Sequence, residues 1–294
     1  METKNQETFQ IVVLAKQVPD THDVGKEAMN ADGTVNRAAL PTVFNPEDLN
    51  ALEMALKVRD SIPGAKVFVL SMGPAKAAEI IRESLYRGAD DGAVLSDRRF
   101  AGSDTLATSY ALSCAIKKLG DVKLVFCGRQ AIDGDTAQVG PQVAEKLEMQ
   151  QVTYAEELVN ATREKLTIVR RLEQGIEVVE APTPLLVTVG GTAPECRFRI
   201  ADRMLKYYKA QMPSEAGENL ATAEEMWKER PYLKLKEWNA DDVNPELERL
   251  GLGGSATKVK QIENVVLLKK ENVNVPAEAA AIEQMWKDLQ GVVF

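Results

Sequence analysis

The chain has 294 residues, 45% hydrophobic and 27% charged, with a formal net charge of −8. That length covers one large or two modest domains with a soluble core, and the acidic balance disfavours nucleic acid or an anionic membrane as the main partner. The only histidine is His22, which excludes a three-histidine metal site, and the 3 cysteines, Cys114, Cys127 and Cys196, lack metal-ligand spacing. No apolar run is long enough to cross a bilayer. With an odd cysteine count and no leader pattern at Met1, the expected compartment is a reducing cytoplasm.

Residues 1–8 are polar. Phe9 to Ala15 reads as a first strand, followed by Lys16-Gln17-Val18-Pro19-Asp20. Asp32-Gly33 is a hairpin turn signal between Ala28-Met29 and Thr34-Val35. Asn45-Pro46-Glu47-Asp48 is a helix start: Asn45 suits the cap, Pro46 the first turn, and two acids face the positive end of the dipole. A ligand role for Asn45 stays open beside the cap. The helix should end near Asp60, before Pro63-Gly64.

Ala65 to Ser71 predicts a second strand, and Met72-Gly73-Pro74 turns the chain into a helix through Arg87. There Ala77, Ile80, Ile81 and Leu85 follow the helical period. Ala93 to Leu95 begins a third strand. Ser103-Asp104 opens a helix from Thr105 to Leu119. Val122 to Cys127 is an apolar fourth strand, leading into Gly128-Arg129-Gln130-Ala131-Ile132-Asp133-Gly134-Asp135-Thr136-Ala137-Gln138-Val139-Gly140. Asp135 is placed to cap a helix from Thr136 to Leu147.

This alternation defines an α/β fold with an open, mostly parallel, Rossmann-like sheet. Ligands of such sheets sit beyond the strand carboxyl ends. Four such ends bring Leu14-Ala15-Lys16, Ser71-Met72-Gly73, the stretch ending in Asp104-Thr105, and Gly128 to Gly140 toward one crevice. The last segment enters a helix start, whose free N–H groups suit phosphate. It is neither a Walker A loop nor a GxGxxG. An ordinary strand-to-helix turn is the alternative, and Asp133 and Asp135 oppose a phosphate unless N–H groups and Arg129 outweigh them. Arg129 could instead pair with Asp133.

Beyond Leu147, Val152-Thr153-Tyr154 is a short β-like piece. Lys165–Leu172 and Ile176–Glu180 form a hairpin, and Leu185–Val189 another strand, all extending the first sheet. Arg203 to Lys209 is basic and amphipathic. Residues 210–260 scatter Met226, Trp227, Tyr232, Leu233, Leu235 and Trp238 without a periodic pattern. This reads as an arm wrapping a partner, with a buried return across its own domain as the alternative. Leu250 to Ser255 is glycine-rich, Val259–Leu268 could be extended, and Pro276–Leu289 predicts a terminal helix.

Taken together, Val12 to Lys16, Asn45-Pro46, Leu70 to Pro74, Arg87 to Asp90, Gly128 to Gly140 and Leu250 to Thr257 resemble, in order, landmarks of the beta subunit of electron transfer flavoproteins. The resemblance spans about residues 8–265. It implies a Rossmann-like, adenine-nucleotide-hydrolase-like nucleotide domain at 8–192, an arm at 193–270 embracing an alpha subunit that carries its own FAD, and a helical extension at 271–294. It implies nucleotide contacts at Leu14, Asn45, Pro46, Glu47, Asp48, Met72 and Gly128 through Val139. Ordinary members hold AMP there. Electron-bifurcating members hold a second FAD that exchanges hydride with NADH and splits electron pairs between ferredoxin or flavodoxin and, through the alpha-subunit FAD, an acyl-CoA dehydrogenase. The small Gly134 and Ala137, and Val152 to Leu158, resemble the bifurcating group. Pro194 to Ile200 matches the family's dehydrogenase-facing loop only loosely. A structural AMP mount and an unrelated ATP-hydrolysing module of similar sheet are the alternatives.

Overall fold

The computed structural model describes residues 8–20, 40–257 and 274–293. His22, the Asp32-Gly33 turn and the Val259–Leu268 segment lie outside them. In chain order the elements begin with β1 (Phe9–Leu14), β2 (Gln17–Pro19), β3 (Thr42–Phe44), α1 (Pro46–Ser61), β4 (Ala65–Met72), α2 (Ala78–Arg87) and β5 (Asp91–Leu95). Next come α3 (Thr105–Lys118), β6 (Val122–Gly128), α4 (Val139–Lys146), β7 (Gln150–Ala161), β8 (Lys165–Leu172), β9 (Gly175–Pro182) and β10 (Leu185–Val189). The rest comprises α5 (Ala201–Tyr207), α6 (Pro213–Ala216), α7 (Leu220–Glu229), β11 (Lys236–Trp238), α8 (Ala240–Val243), α9 (Gly251–Gly254) and α10 (Ala279–Val293).

Among the described residues the main sheet has nine strands in the order β11-β5-β4-β1-β6-β10-β7-β8-β9. Pairing is parallel from β11 to β7 and antiparallel through the β7-β8-β9 meander. β1 alternates its side chains between two cores. Ile11 and Val13 join α1 and α2 on one face, while Val12 and Leu14 join α3 and α4 on the other. Burial on both faces explains the unbroken apolar runs of β1, β4 and β6. The winding reverses between β1 and β6, so their carboxyl ends open the crevice that such sheets use for ligands.

Three local expectations are corrected. β7 runs for 12 residues, well past the short piece read at Val152 to Tyr154. Its outer half, Glu156-Glu157-Leu158-Val159-Asn160-Ala161, does not alternate polar with apolar residues, so the period of a strand is not visible there although Leu158 and Ala161 pack on the core. The helix after the loop starts at Val139, not Thr136, and Gln138 is its cap position. Asp135 cannot cap from there. It has a left-handed backbone, φ 49°, and accepts from the Gln130 side-chain amide at 2.8 Å.

The segment after β10 returns across its own domain. Met212, Trp227, Leu233 and Leu235 are buried against the α2 face of the sheet. β11 then pairs with β5, and Trp238 stacks on Phe68 with ring centroids 5.6 Å apart. Leu250 closes onto the opposite core. Among the described residues no helix is long and apolar enough to cross a membrane.

Candidate functional site

β1 and β6 end side by side, and α1 begins directly above them. Asp48, in its first turn, accepts from the N–H of Lys16 at 2.9 Å and from that of Gly128 at 2.8 Å. The fit is close: a side-chain carbon on Gly128 would lie 2.6 Å from Asp48 Oδ1. Glu47 accepts from the Gln130 N–H at 2.9 Å and from Arg129 at 3.1 Å. That ion pair raises the Arg129 guanidinium above its ordinary range, and the guanidinium sits 5.9 Å from the Tyr154 ring. The expected alternative pair, Arg129 with Asp133, does not form. Asp133 lies 2.8 Å from Lys16 Nζ instead.

Asn45 starts α1 through its carbonyl, which accepts from Asp48 and Leu49. Its side chain makes no capping bond. Fully buried, it donates to the Gln130 carbonyl at 2.9 Å and accepts from the Ile132 N–H at 3.1 Å. The cap assigned from sequence is therefore corrected. The side chain holds a distant loop, and the backbone alone begins the helix.

From Ala131 onward the chain turns. The N–H groups of Gly134 and Asp135 both bond the Ala131 carbonyl, so they are spent. Among the described residues nothing accepts from the N–H groups of Thr136, Ala137 and Gln138, and those of Val139 and Gly140 are the orphan donors of a helix start. Ala137 also has a left-handed backbone, φ 51°, and alternating hands turn successive N–H groups toward one concavity. Gly134 has open space where a side chain would be, whereas one on Gly140 would strike Cys127 Sγ at 2.7 Å and Thr188 at 2.8 Å. Gly140 lets α4 lie directly on β6 and β10, which brings its amino end to the crevice.

A second helix start meets this one. Asp104 caps α3 by accepting from Leu106 and Ala107. Thr105 Oγ1 donates to Gln138 Oε1 at 2.8 Å, and Ser109 donates to Gln142 Oε1 at 2.9 Å. The glycine-rich segment docks here. Ser255 Oγ accepts from the Asp104 N–H at 2.9 Å, and the Thr257 N–H donates to the Asp104 carboxylate at 2.8 Å. Sequence spacing could not supply that address, 153 residues away. Tyr154 was missed for a similar reason: its left-handed φ of 59° comes from a register shift in the β7–β10 pairing.

Other predicted positions stand apart. Leu14 and Ala15 bury their side chains in the two cores, leaving only backbone toward the crevice. Ser71 is buried with no hydrogen-bond partner for its hydroxyl, and Gly73 donates to Leu95 on the next strand. Among the described residues no hydrogen bond or ion pair joins Ser71, Met72 or Gly73 to the loop. The arrangement is chemically simple. The free N–H groups leading into α4 favour an anion. Lys16 pairs with Asp133 and Arg129 with Glu47. The α3 start is already capped by Asp104, and among the described residues Asp135 accepts only from the Gln130 amide. A phosphate-bearing nucleotide fits this donor set, while the open space at Gly134 leaves room beside it.

Fold and site together define a doubly wound α/β protein whose switch point opens a crevice lined by free backbone N–H groups. A family model for the electron transfer flavoprotein domain matches residues 32–220. The acryloyl-CoA reductase electron transfer subunit gamma of Anaerotignum propionicum is 42% identical over 254 residues, covering 85% of this chain and 86% of its own. An electron transfer flavoprotein subunit beta of Megasphaera elsdenii is 39% identical over 293 residues, covering 96% and 98%. The caffeyl-CoA reductase-Etf complex subunit CarD of Acetobacterium woodii is 40% identical over 251 residues, covering 85% and 86%. The chain belongs to the electron transfer flavoprotein family, as a beta subunit, and its role is electron transfer.

Proposed function

We propose that this beta subunit belongs to the electron-bifurcating branch, with FAD held at residues 128–140. The observation that carries the reading is the loop itself: unused N–H groups from Thr136 to Gly140 beside the open space at Gly134. Relatives named as parts of acryloyl-CoA and caffeyl-CoA reductase assemblies support it. When bound, the flavin supplies the hydride and single-electron chemistry, with NADH as transient donor. The chain's own residues bind and tune. N–H groups of 136–140 hold phosphate oxygens, and Thr136 and Gln138 are further donors. Arg129, whose charge is offset by Glu47, places guanidinium N–H donors at the mouth.

In this reading the partners are an alpha subunit with its own FAD, an acyl-CoA dehydrogenase, and ferredoxin or flavodoxin, all in the cytoplasm. Residues 8–192 form the nucleotide domain, 193–270 the arm around the alpha subunit, and 271–294 an extension. The embrace would use the outward side of the return, where Leu247 and Leu252 are exposed, and Ile282 and Trp286 of α10. AMP in the same loop, with a single-flavin shuttle, is the second reading, because the free N–H groups suit a monophosphate equally.

The test is the nucleotide content of the purified alpha–beta complex, by absorbance and mass spectrometry of released nucleotides. Two FAD and no AMP per heterodimer, followed by reduction with NADH, is the expected result. One FAD plus one AMP would overturn the bifurcating reading.

A further inference from the structure

One stripe of α1 holds the segment that leaves β10. The Asn50 amide lies within 3.4 Å of the carbonyls of Gly190, Gly191 and Ala193. Glu53 takes the Arg197 N–H at 2.9 Å and its guanidinium at 2.9 and 3.1 Å, and Asp60 takes the same guanidinium at 2.9 Å. Positions 50, 53 and 60 recur with the helical period, so all three sit on one face. The neighbouring helix α2 supplies the other half. Glu83 pairs with Arg199 at 2.8 Å and with Arg87 at 2.8 Å. Arg87 reaches back to the carbonyls of Cys196 and Arg197, and the Ile200 N–H donates to the Tyr86 carbonyl at 2.9 Å.

Arg197 and Arg199 are thus drawn inward, and Phe198 between them is 93% exposed. The ring stands in water on a backbone fixed at both sides. Ile200, Leu205 and Tyr208 are also exposed, and Arg203, Lys206 and Lys209 add cations in a chain whose net charge is −8. Clustered apolar groups ringed by charge mark an interaction surface. α5 packs on α2 and sends Tyr207 into the core on that face of the sheet. α9, which carries the Leu252 assigned above to the alpha subunit, packs on α3 at the opposite face. The Phe198 surface is therefore open to a different partner, and its cations select one with an acidic rim around an apolar pocket.

We infer that Glu53 and Glu83 are positioning residues that hold 196–200 in one shape and so present Phe198 as the anchor for the dehydrogenase partner. Glu53 is only 6% exposed, so it acts through Arg197 and not by touching that partner. A segment ordered in advance loses less freedom on binding. The inference rests on the dehydrogenase partner of the proposed function and is independent of which nucleotide the crevice holds.

The experiment uses the full alpha–beta complex carrying Phe198→Ala, Glu53→Ala, Glu53→Gln or Glu83→Ala, with a short-chain acyl-CoA dehydrogenase as the probe. Hydrogen–deuterium exchange over 195–200 is measured on the complex alone, and dehydrogenase binding by titration calorimetry. Phe198→Ala should weaken binding at least about tenfold and leave exchange within about twofold of wild type. Glu53→Ala and Glu83→Ala should each speed exchange about tenfold and weaken binding about tenfold, although Phe198 is intact. Glu53→Gln keeps an acceptor for the Arg197 N–H and should bring both to within about threefold of wild type. Should Glu53→Ala fail to fold, Glu83→Ala and Glu53→Gln carry the comparison. Weaker binding with unchanged exchange in the Glu53 and Glu83 variants would mean direct contact and would overturn the positioning role. Faster exchange with wild-type binding would overturn it too, while a weakened Phe198→Ala would leave the docking surface standing. Wild-type binding by Phe198→Ala would remove the dehydrogenase from this face, and loss of the alpha subunit from that variant would give the face to alpha; either result sinks the inference.

Discussion

Burial pushes the Asp48 carboxyl up to about 7, against the hydrogen bonds from Lys16 and Gly128 that favour its charged form. An unfolded aspartate titrates near about 3.9. Between about pH 4 and 7 the folded chain therefore holds a proton that the unfolded chain has released, and stability from this group is lost as pH rises through that window. Urea unfolding of Asp48→Asn beside wild type isolates it. The stability advantage of wild type should shrink from about pH 5 to about pH 8, and an advantage that grew instead would contradict the buried-acid account. Gly140 makes a steric prediction. Gly140→Ala should cost about 1–3 kcal/mol by forcing α4 off Cys127 and Thr188, read as a lower urea midpoint. At this scale the sequence was half legible. Asn45, Glu47 and Asp48 stood out by residue type, yet their use did not, because the loop atoms that Asn45 binds lie 85 and 87 residues further on. Local rules propose a cap when the true partner is remote.

Helices and strands with a two-sided apolar burden announce themselves. β1, β4, β6 and β10 are buried along nearly their whole length, and their sequences admit little else. The return from Met212 to Leu250 is different, because its buried groups come singly from short turns, and no period marks them. Trp227 is the anchor of that return. Its indole N–H is buried without a partner, while its ring lies beneath the Lys234 ammonium at 5.3 Å. Trp227→Ala should cost about 3–5 kcal/mol. Trp227→Phe should cost less than about 1 kcal/mol, since it also removes an unsatisfied donor. Thermal unfolding of the pair decides: equal losses would mean that the N–H is bonded and that the ring is not the anchor.

At the scale of the molecule, open sheet class and mostly parallel pairing follow from strand–helix alternation, but strand order does not. Nothing local places β10 between β6 and β7, or β11 beside β5. α10 presents Ile282, Trp286 and Leu289 to solvent. A chain ended at residue 273 should keep its urea midpoint and lose at least about tenfold in affinity for the alpha subunit, measured by titration calorimetry. Unchanged affinity would remove α10 from the embrace. The late arrival of β10 has a consequence for synthesis. A nascent chain that has just left the ribosome through Gly140 has made β6 but not the strand that covers its outer edge. Until Val189 emerges, β6 is a bare, apolar parallel edge, the kind of surface on which unfinished chains stick to one another. Messages cut short between these points should therefore yield insoluble fragments, while those read through β10 should yield soluble ones.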